Sequence, residues 1–198
     1  ISAVRDENGE PRRYVGMFAD ITPLKEHQRQ LEHIAHYDAL TDLPNRVLLA
    51  DRLRQAMTRA SRRRSLIAAV YLDLDGFKQV NDHHGHATGD ALLVHLAGHM
   101  KQALRDGDTL ARLGGDEFVA VLIDLESREA AIPVVERLLT AATEPARVGD
   151  LELRVSASIG VSFHPRTEGI DADGLLHQAD QAMYLAKQAG KNRYRLFE

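Results

Sequence analysis

The chain has no cysteine among its 198 residues. Disulfides and thiolate-bound metals are therefore excluded, and a reducing, cytoplasmic setting is expected. Long apolar runs are missing too. The strongest, SLIAAVYL at 65–72, is far below the about 20 residues that a membrane-spanning helix needs. Basic charge is not in excess: the net charge is −4 and the pI near 6.2, which gives no electrostatic footing for duplex nucleic acid. No Walker A pattern occurs, so a P-loop is not the means of holding phosphate. Internal repeats, low-complexity tracts, an initiator Met and a signal-peptide pattern are absent as well. The abrupt start at ISAVRDENGEPRRY reads as the cut edge of a longer protein.

What is present alternates between strand and helix patterns. Residues 1–22 read as a hairpin remnant, with Asn8-Gly9 as its turn and an apolar returning strand. Pro23 opens a helical segment over 23–37 with Leu24, His27, Leu31 and Ile34 at alternating steps of three and four. That spacing suits a short coiled-coil seam and equally an amphipathic helix lying on a neighbouring domain. A new unit begins at Asp38. DALTDLPNRVLLADRLRQAMTRA carries a helical stripe, and SLIAAVYLDLD reads as a strand buried on both faces. GDALLVHLAGHMKQALR is a helix. SREAAIPVVERLLTAAT is another, with Ser127 as N-cap and Pro133 either kinking it or marking its true start. LELRVSASIGVSF alternates throughout and predicts one antiparallel strand; ADGLLHQADQAMYLAKQA is a helix closed by Gly190, and RYRLF an edge strand. The fold class is thus α/β of the α+β kind, a mostly antiparallel sheet of about five strands ringed by helices.

One stretch calls for chemistry. In RLGGDEFVAVL, Gly114-Gly115 supplies a hairpin turn and Asp116-Glu117 two adjacent carboxylates. Like charges about 4 Å apart repel by roughly 4 kcal/mol at an effective dielectric near 20. Either water screens them on an exposed tip or a cation sits beside them. Asp73 and Asp75 stand at the end of the strand 65–72, sharing a face with Ala69 and Tyr71. If that strand pairs with the hairpin, three or four carboxylates converge, and hard oxygen ligands suit Mg²⁺ or Mn²⁺ rather than zinc. His83, His84 and His86 crowd the segment NDHHGHATGD but lack the rigid frame of a zinc site and read as a polar loop. His95 and His99 read as surface or boundary residues.

GGDEF at 114–118, preceded by DLDGFKQVNDHHGHATGD at 73–90, resembles the GGDEF domain of diguanylate cyclases. DALTDLPNR resembles the opening of that family, ASIGVS its late strand and ADQAMYLAKQAGKNR its closing helix. The resemblance spans 38–198. It implies a palm-like or adenylyl-cyclase-like fold that condenses two GTP into cyclic di-GMP and two pyrophosphates across a homodimer. It further implies that Asp73, Asp116 and Glu117 are catalytic and hold the metal with the carbonyl of Leu74. By the same match, Asn81 and Asp90 read guanine, Gly114 and Gly115 admit the phosphates, and Lys78, Lys187 and Lys191 contact them. Lys191 stands where the family often has arginine, which forfeits bidentate geometry. Without the resemblance, Asn81 is a turn residue and Asp90 a helix N-terminal charge.

Arg105 and Asp108, in RDGD, match the inhibitory Arg-x-x-Asp pair that binds product, with Arg137 as a further contact. By themselves they describe a helix C-terminus followed by a turn. RRYVGMFADITPLKEHQ resembles the end of a PAS sensor domain leading into a signalling helix. An alternative function is a silent GTP- or cyclic di-GMP-sensing module that controls a neighbour such as an EAL phosphodiesterase domain.

Overall fold

The computed structural model describes residues 2–5, 7, 8, 10–15, 19–63, 65–165 and 169–198. They fall into two units, Ile1–Ala35 and His36–Glu198. In the first, β1 (Ser2–Arg5) pairs antiparallel with β2 (Pro11–Val15), Ser2 opposite Val15. This is the expected hairpin, although Gly9 of its turn and residues 16–18 of the returning segment lie outside the described residues. Asp20 accepts from the Thr22 amide at 2.8 Å and starts α1 (Thr22–His36), with Pro23 in the first turn, where its missing N–H is harmless. No residue of α1 is buried, its apolar Leu24, Leu31 and Ile34 included.

The second unit runs α2 (Arg46–Arg63), β3 (Leu66–Asp75), α3 (Phe77–His84), α4 (His86–Gln102), β4 (Thr109–Gly114) and β5 (Glu117–Leu125). After a 3₁₀ turn at Glu129–Ala131 come α5 (Ile132–Thr143), β6 (Ala146–Val148), β7 (Leu151–Leu153), β8 (Ser156–His164), α6 (Ala172–Gln188) and β9 (Arg193–Leu196). One five-stranded sheet has the order β4-β5-β3-β8-β9, antiparallel except for the β8–β9 pair at its edge.

β3 occupies the centre because its sequence is apolar on both parities. Ala68, Val70, Leu72 and Leu74 join Phe118 and Ile159 beneath Leu93 and Leu96 of α4 and Leu138 of α5. On the opposite face, Ile67, Ala69 and Tyr71 meet Leu53 and Met57 of α2 and Leu175 and Ala179 of α6. Helices therefore cover both sides of the sheet, as the alternating sequence pattern implied.

Three local expectations change. The polar loop after β3 is two helices broken at Gly85 (φ +82): His83 and His84 close α3 and His86 opens α4. Phe77 and Val80, buried one turn apart, give α3 an apolar face too short to stand out in the sequence. LELRVSASIGVSF is two strands rather than one, with β7 paired to β6 and β8 entering the main sheet. Its alternation suggested one exposed face, yet Ser158 and Ser162 are buried as fully as Ile159, because small residues there admit α6. Ser127 accepts from the Ala130 amide at 3.3 Å within the 3₁₀ turn and does not cap α5, while Pro133 lies in the first turn of α5 and marks its start, one of the two readings of the sequence.

Gly160 shows how closely α6 lies on the sheet. A Cβ at this position would stand 1.9 Å from the Ala179 carbonyl oxygen and 2.1 Å from the Met183 amide nitrogen, both backbone atoms. Gly160→Ala must therefore lift the helix. We expect a loss of about 3 kcal/mol or more in urea unfolding; an unchanged midpoint would show that α6 does not rest there.

Candidate active site

The antiparallel register of β3 and β5 sets Asp73 directly opposite Glu117, two residues beyond the Tyr71–Val119 pair. Asp73, Glu117 and Tyr71 therefore project from one face, the side covered by α6. Lys187 of α6 reaches down to Asp73, Nζ to Oδ1 2.7 Å. Tyr71 lies beside the Glu117 carboxylate; burial first, then the charges of Glu117 and Asp180, push this phenol well above its ordinary pKa. The Leu74 amide donates to the Asp116 carbonyl at 3.2 Å, fastening the hairpin tip to the end of β3.

That tip is the Gly-Gly turn, with Gly114 at φ +140 and Gly115 at φ +52, values that a Cβ would strain. It has a second restraint that the sequence did not announce. Arg112 donates from Nε and Nη2 to the Gly115 carbonyl at 3.0 and 2.8 Å, and from Nη1 to Asp38 Oδ1 at 2.8 Å. Asp38 is itself held by the Thr41 amide and hydroxyl at 2.9 and 2.7 Å. The opening segment DALTDLPNR thus folds as a turn against the Gly-Gly hairpin. The helix proper starts only at Arg46, capped by Asn45, which accepts from the Val47 and Leu48 amides. The only sequence signals were the short spacing of Arg112 from the glycines and the alternation that puts Tyr71 on the Asp73 face.

Asp75 does not join the acidic edge. It is buried, accepting from the hydroxyls of Ser156 and Ser158 at 2.9 Å and from the Asn192 amide at 3.3 Å. Through Asn192 it fixes the left-handed turn that carries Lys191 (φ +60). The carboxylates that remain are Asp73, Asp116 and Glu117. Burial raises the pKa of Asp73 despite Lys187, and the charge of Asp116 adds to the rise. Among the described residues no three acidic, histidine or cysteine groups already converge on one point. One or two carboxylates and a carbonyl nevertheless fit a hard divalent cation that completes its shell with phosphate oxygens and water. Such a cation would also relieve the repulsion between Asp73 and Asp116.

The other candidates lie nearby or apart. Lys78 and Asn81 are on α3, Lys78 exposed, while Asp90 is exposed near the start of α4. Asn81 Oδ1 is buried and has no partner among the described residues. His83 donates to the Gln79 carbonyl at 2.7 Å. Arg105, Asp108 and Arg137 line a separate cavity of about 430 Å³. Asp108 accepts from Arg105 Nε at 3.4 Å and from the Ile123 amide at 3.1 Å, and Arg137 donates to the Ala103 carbonyl at 2.5 Å. His99 and Glu144 pair at 2.6 Å between α4 and the end of α5.

Burial works to raise the pKa of Asp38, but hydrogen bonds from Thr41 and Arg112 outweigh it and hold the carboxyl below its usual 3.8. The pair therefore contributes stability above that pH and loses it as pH falls through the lower, folded value. Arg112→Ala should cost about 2 kcal/mol at pH 7, and urea unfolding below pH 3.8 should show the gap narrowing; a constant gap would exclude the ion pair as its source. Asp73 has the opposite sign: its raised pKa means that the ionised form opposes folding, so stability is lost as pH rises through the folded value. Asp73→Asn is expected to raise the melting temperature at pH 7, and a lower one would refute this.

Residues 35–193 match the family model for the diguanylate cyclase, GGDEF domain. MucR of Pseudomonas aeruginosa, a bifunctional diguanylate cyclase/cyclic di-GMP phosphodiesterase, is 44% identical over 177 residues, covering 89% of this chain and 26% of that protein. TpbB of the same organism, a diguanylate cyclase, is 39% identical over 176 residues, covering 88% of this chain and 40% of the relative. The chain thus spans less than half the length of these curated relatives. The solved GGDEF domain of TpbB superposes with a TM-score of 0.77 at 39% identity, over 82% of this chain and 95% of that one. The coiled coil and GGDEF domain of DgcB from Caulobacter crescentus, in complex with c-di-GMP, gives 0.80 at 26% identity, over 89% and 93%. With a sheet of this order, an acidic edge built on GGDEF and these likenesses, the chain belongs to the diguanylate cyclase GGDEF-domain family.

Proposed function

We propose that this chain condenses two GTP molecules into cyclic di-GMP and two pyrophosphates, each domain holding one GTP and two domains meeting face to face. The observation that carries the reading is the Asp73–Glu117 register, with Asp116 fastened beside it and Lys187 reaching in from α6. Asp73, the Leu74 carbonyl, Asp116 and Glu117 would hold Mg²⁺ or Mn²⁺. When bound, such an ion lowers the pKa of the ribose 3′-hydroxyl and neutralises charge on the α-phosphate.

The chain's own residues then do the rest. Glu117, beside Tyr71, serves as a further ligand or receives the proton of the 3′-hydroxyl. The freed 3′-oxygen forms a bond to the α-phosphorus of the facing GTP while the bond to pyrophosphate breaks. Lys187, Lys78 and Lys191 neutralise the triphosphate as point charges. Gly114 and Gly115 leave room where a Cβ would meet phosphate. Asp90 and Asn81 read the guanine edge, which rejects adenine because adenine leaves those groups unpaired. Arg105, Asp108 and Arg137 suit a guanine–phosphate product, since arginine both pairs with phosphate and stacks on bases.

The exposed Leu24, Leu31 and Ile34 of α1 support a dimerising helix, which would set the effective concentration of the two half-sites. Residues 1–22 are read as the end of a PAS-like sensor. GTP as substrate agrees with a cytoplasmic setting, and no helix among the described residues is long and apolar enough to cross a membrane. A second reading, a sensor governing a phosphodiesterase neighbour such as an EAL domain, is favoured by the bifunctional MucR, of which this chain matches 26%.

The test fuses residues 24–198 to a parallel coiled coil, adds GTP and Mg²⁺ and measures cyclic di-GMP by mass spectrometry. Product is expected, and Asp116→Asn should reduce it by more than about a hundredfold, since even outer-shell changes at metal sites cost 10–100-fold. GTP binding with no product in any fusion register would favour the sensor.

A further inference from the structure

Gly89 sits within α4 at a position where glycine has no conformational reason to be. No left-handed φ is needed there, and alanine is a far better helix former. The reason lies across the α3–α4 junction. A Cβ at residue 89 would stand 1.9 Å from Asn81 Oδ1, 2.9 Å from Asn81 Cγ and 3.2 Å from the ring of Phe77. The Asn81 side chain therefore occupies the space that any side chain at 89 would take. Its Oδ1 is buried there with no donor among the described residues, an arrangement that stable interiors avoid unless water or a ligand completes it. Asn81 is held from its backbone side as well, its carbonyl accepting from the Gly85 amide at 2.8 Å. Asp90 follows Gly89 directly, so the same turn of α4 carries both the seat and the acid.

We propose that Gly89 seats the Asn81 amide and thereby determines discrimination between purine bases at the nucleotide site. The inference rests on the reading of Asn81 as a guanine contact. Gly89 touches no substrate; it acts through Asn81 and is a positioning residue. A methyl group at 89 displaces the amide and leaves the base to Asp90 alone.

A double-mutant cycle of Gly89→Ala and Asn81→Ala tests this in the full chain. Affinities for GTP and ATP are read by displacement of a fluorescent GTP analogue, and melting temperatures by circular dichroism. Gly89→Ala alone should weaken GTP at least tenfold, leave ATP within about twofold and lower the melting temperature. In the Asn81→Ala background the same change should alter neither affinity and should raise the melting temperature, because only helix propensity is left. Equal losses of GTP affinity in both backgrounds, or melting shifts of one sign in both, would overturn the proposal. A wild type that binds no GTP would count against the proposed function instead, and the melting arm would still decide whether Gly89 seats Asn81.

Discussion

The site depends on strand register. β3 and β5 run antiparallel without a slip from Ala68 to Asp73, and side-chain direction alternates with period two. Moving β5 by one residue would send Glu117 to the face of Leu72 and bring Phe118, wholly buried as it stands, to the acidic edge. The apolar cores on both faces of the sheet thus do more than stabilise. They forbid a one-residue slip from the register that sets Asp73 across from Glu117, and the Leu74–Asp116 backbone bond pins the hairpin tip in that register.

Around this register the charges are balanced unevenly. Asp75 is fully compensated by two serine hydroxyls and a backbone amide, as a structural carboxylate should be. Asp73, two residues earlier on the same face, has one lysine and a repelling neighbour. Two acids of the same motif therefore have different fates, decided by which β8 residues and which turn stand beside them. A carboxylate left so incompletely satisfied marks a candidate functional position.

The sequence made the sheet and its helices legible because their periodicities are long. β3 reads as buried on both faces from its unbroken apolar run, and α4 from its stripe of Leu93, Leu96, Ala97 and Met100. Where periodicity is short it failed: α3 has two buried residues, and the break between β7 and β8 falls where alternation continues unbroken. The acids were legible as chemistry and their partner Asp73 as a neighbour. Asp75 was not separable from Asp73, since both share parity and both end the same strand; only the serines of a strand some eighty residues away distinguish them. Asp38 escaped for the same reason, because it matters through a contact with Arg112 seventy-four residues away; for Arg112 and Tyr71 spacing and alternation gave the place but not the partner.

Gly160 has a consequence beyond packing. Where helix and sheet meet through interlocking side chains, their separation drifts whenever those side chains are exchanged. Here the backbone of α6 rests on the backbone of β8, and the distance from Lys187 to the end of β3 is measured from that hard stop. Interior residues can change volume elsewhere without altering the reach of the lysine. A gauge of this kind lets sequences drift far while the working dimension stays fixed, in keeping with a domain whose relatives keep its shape at 39% identity.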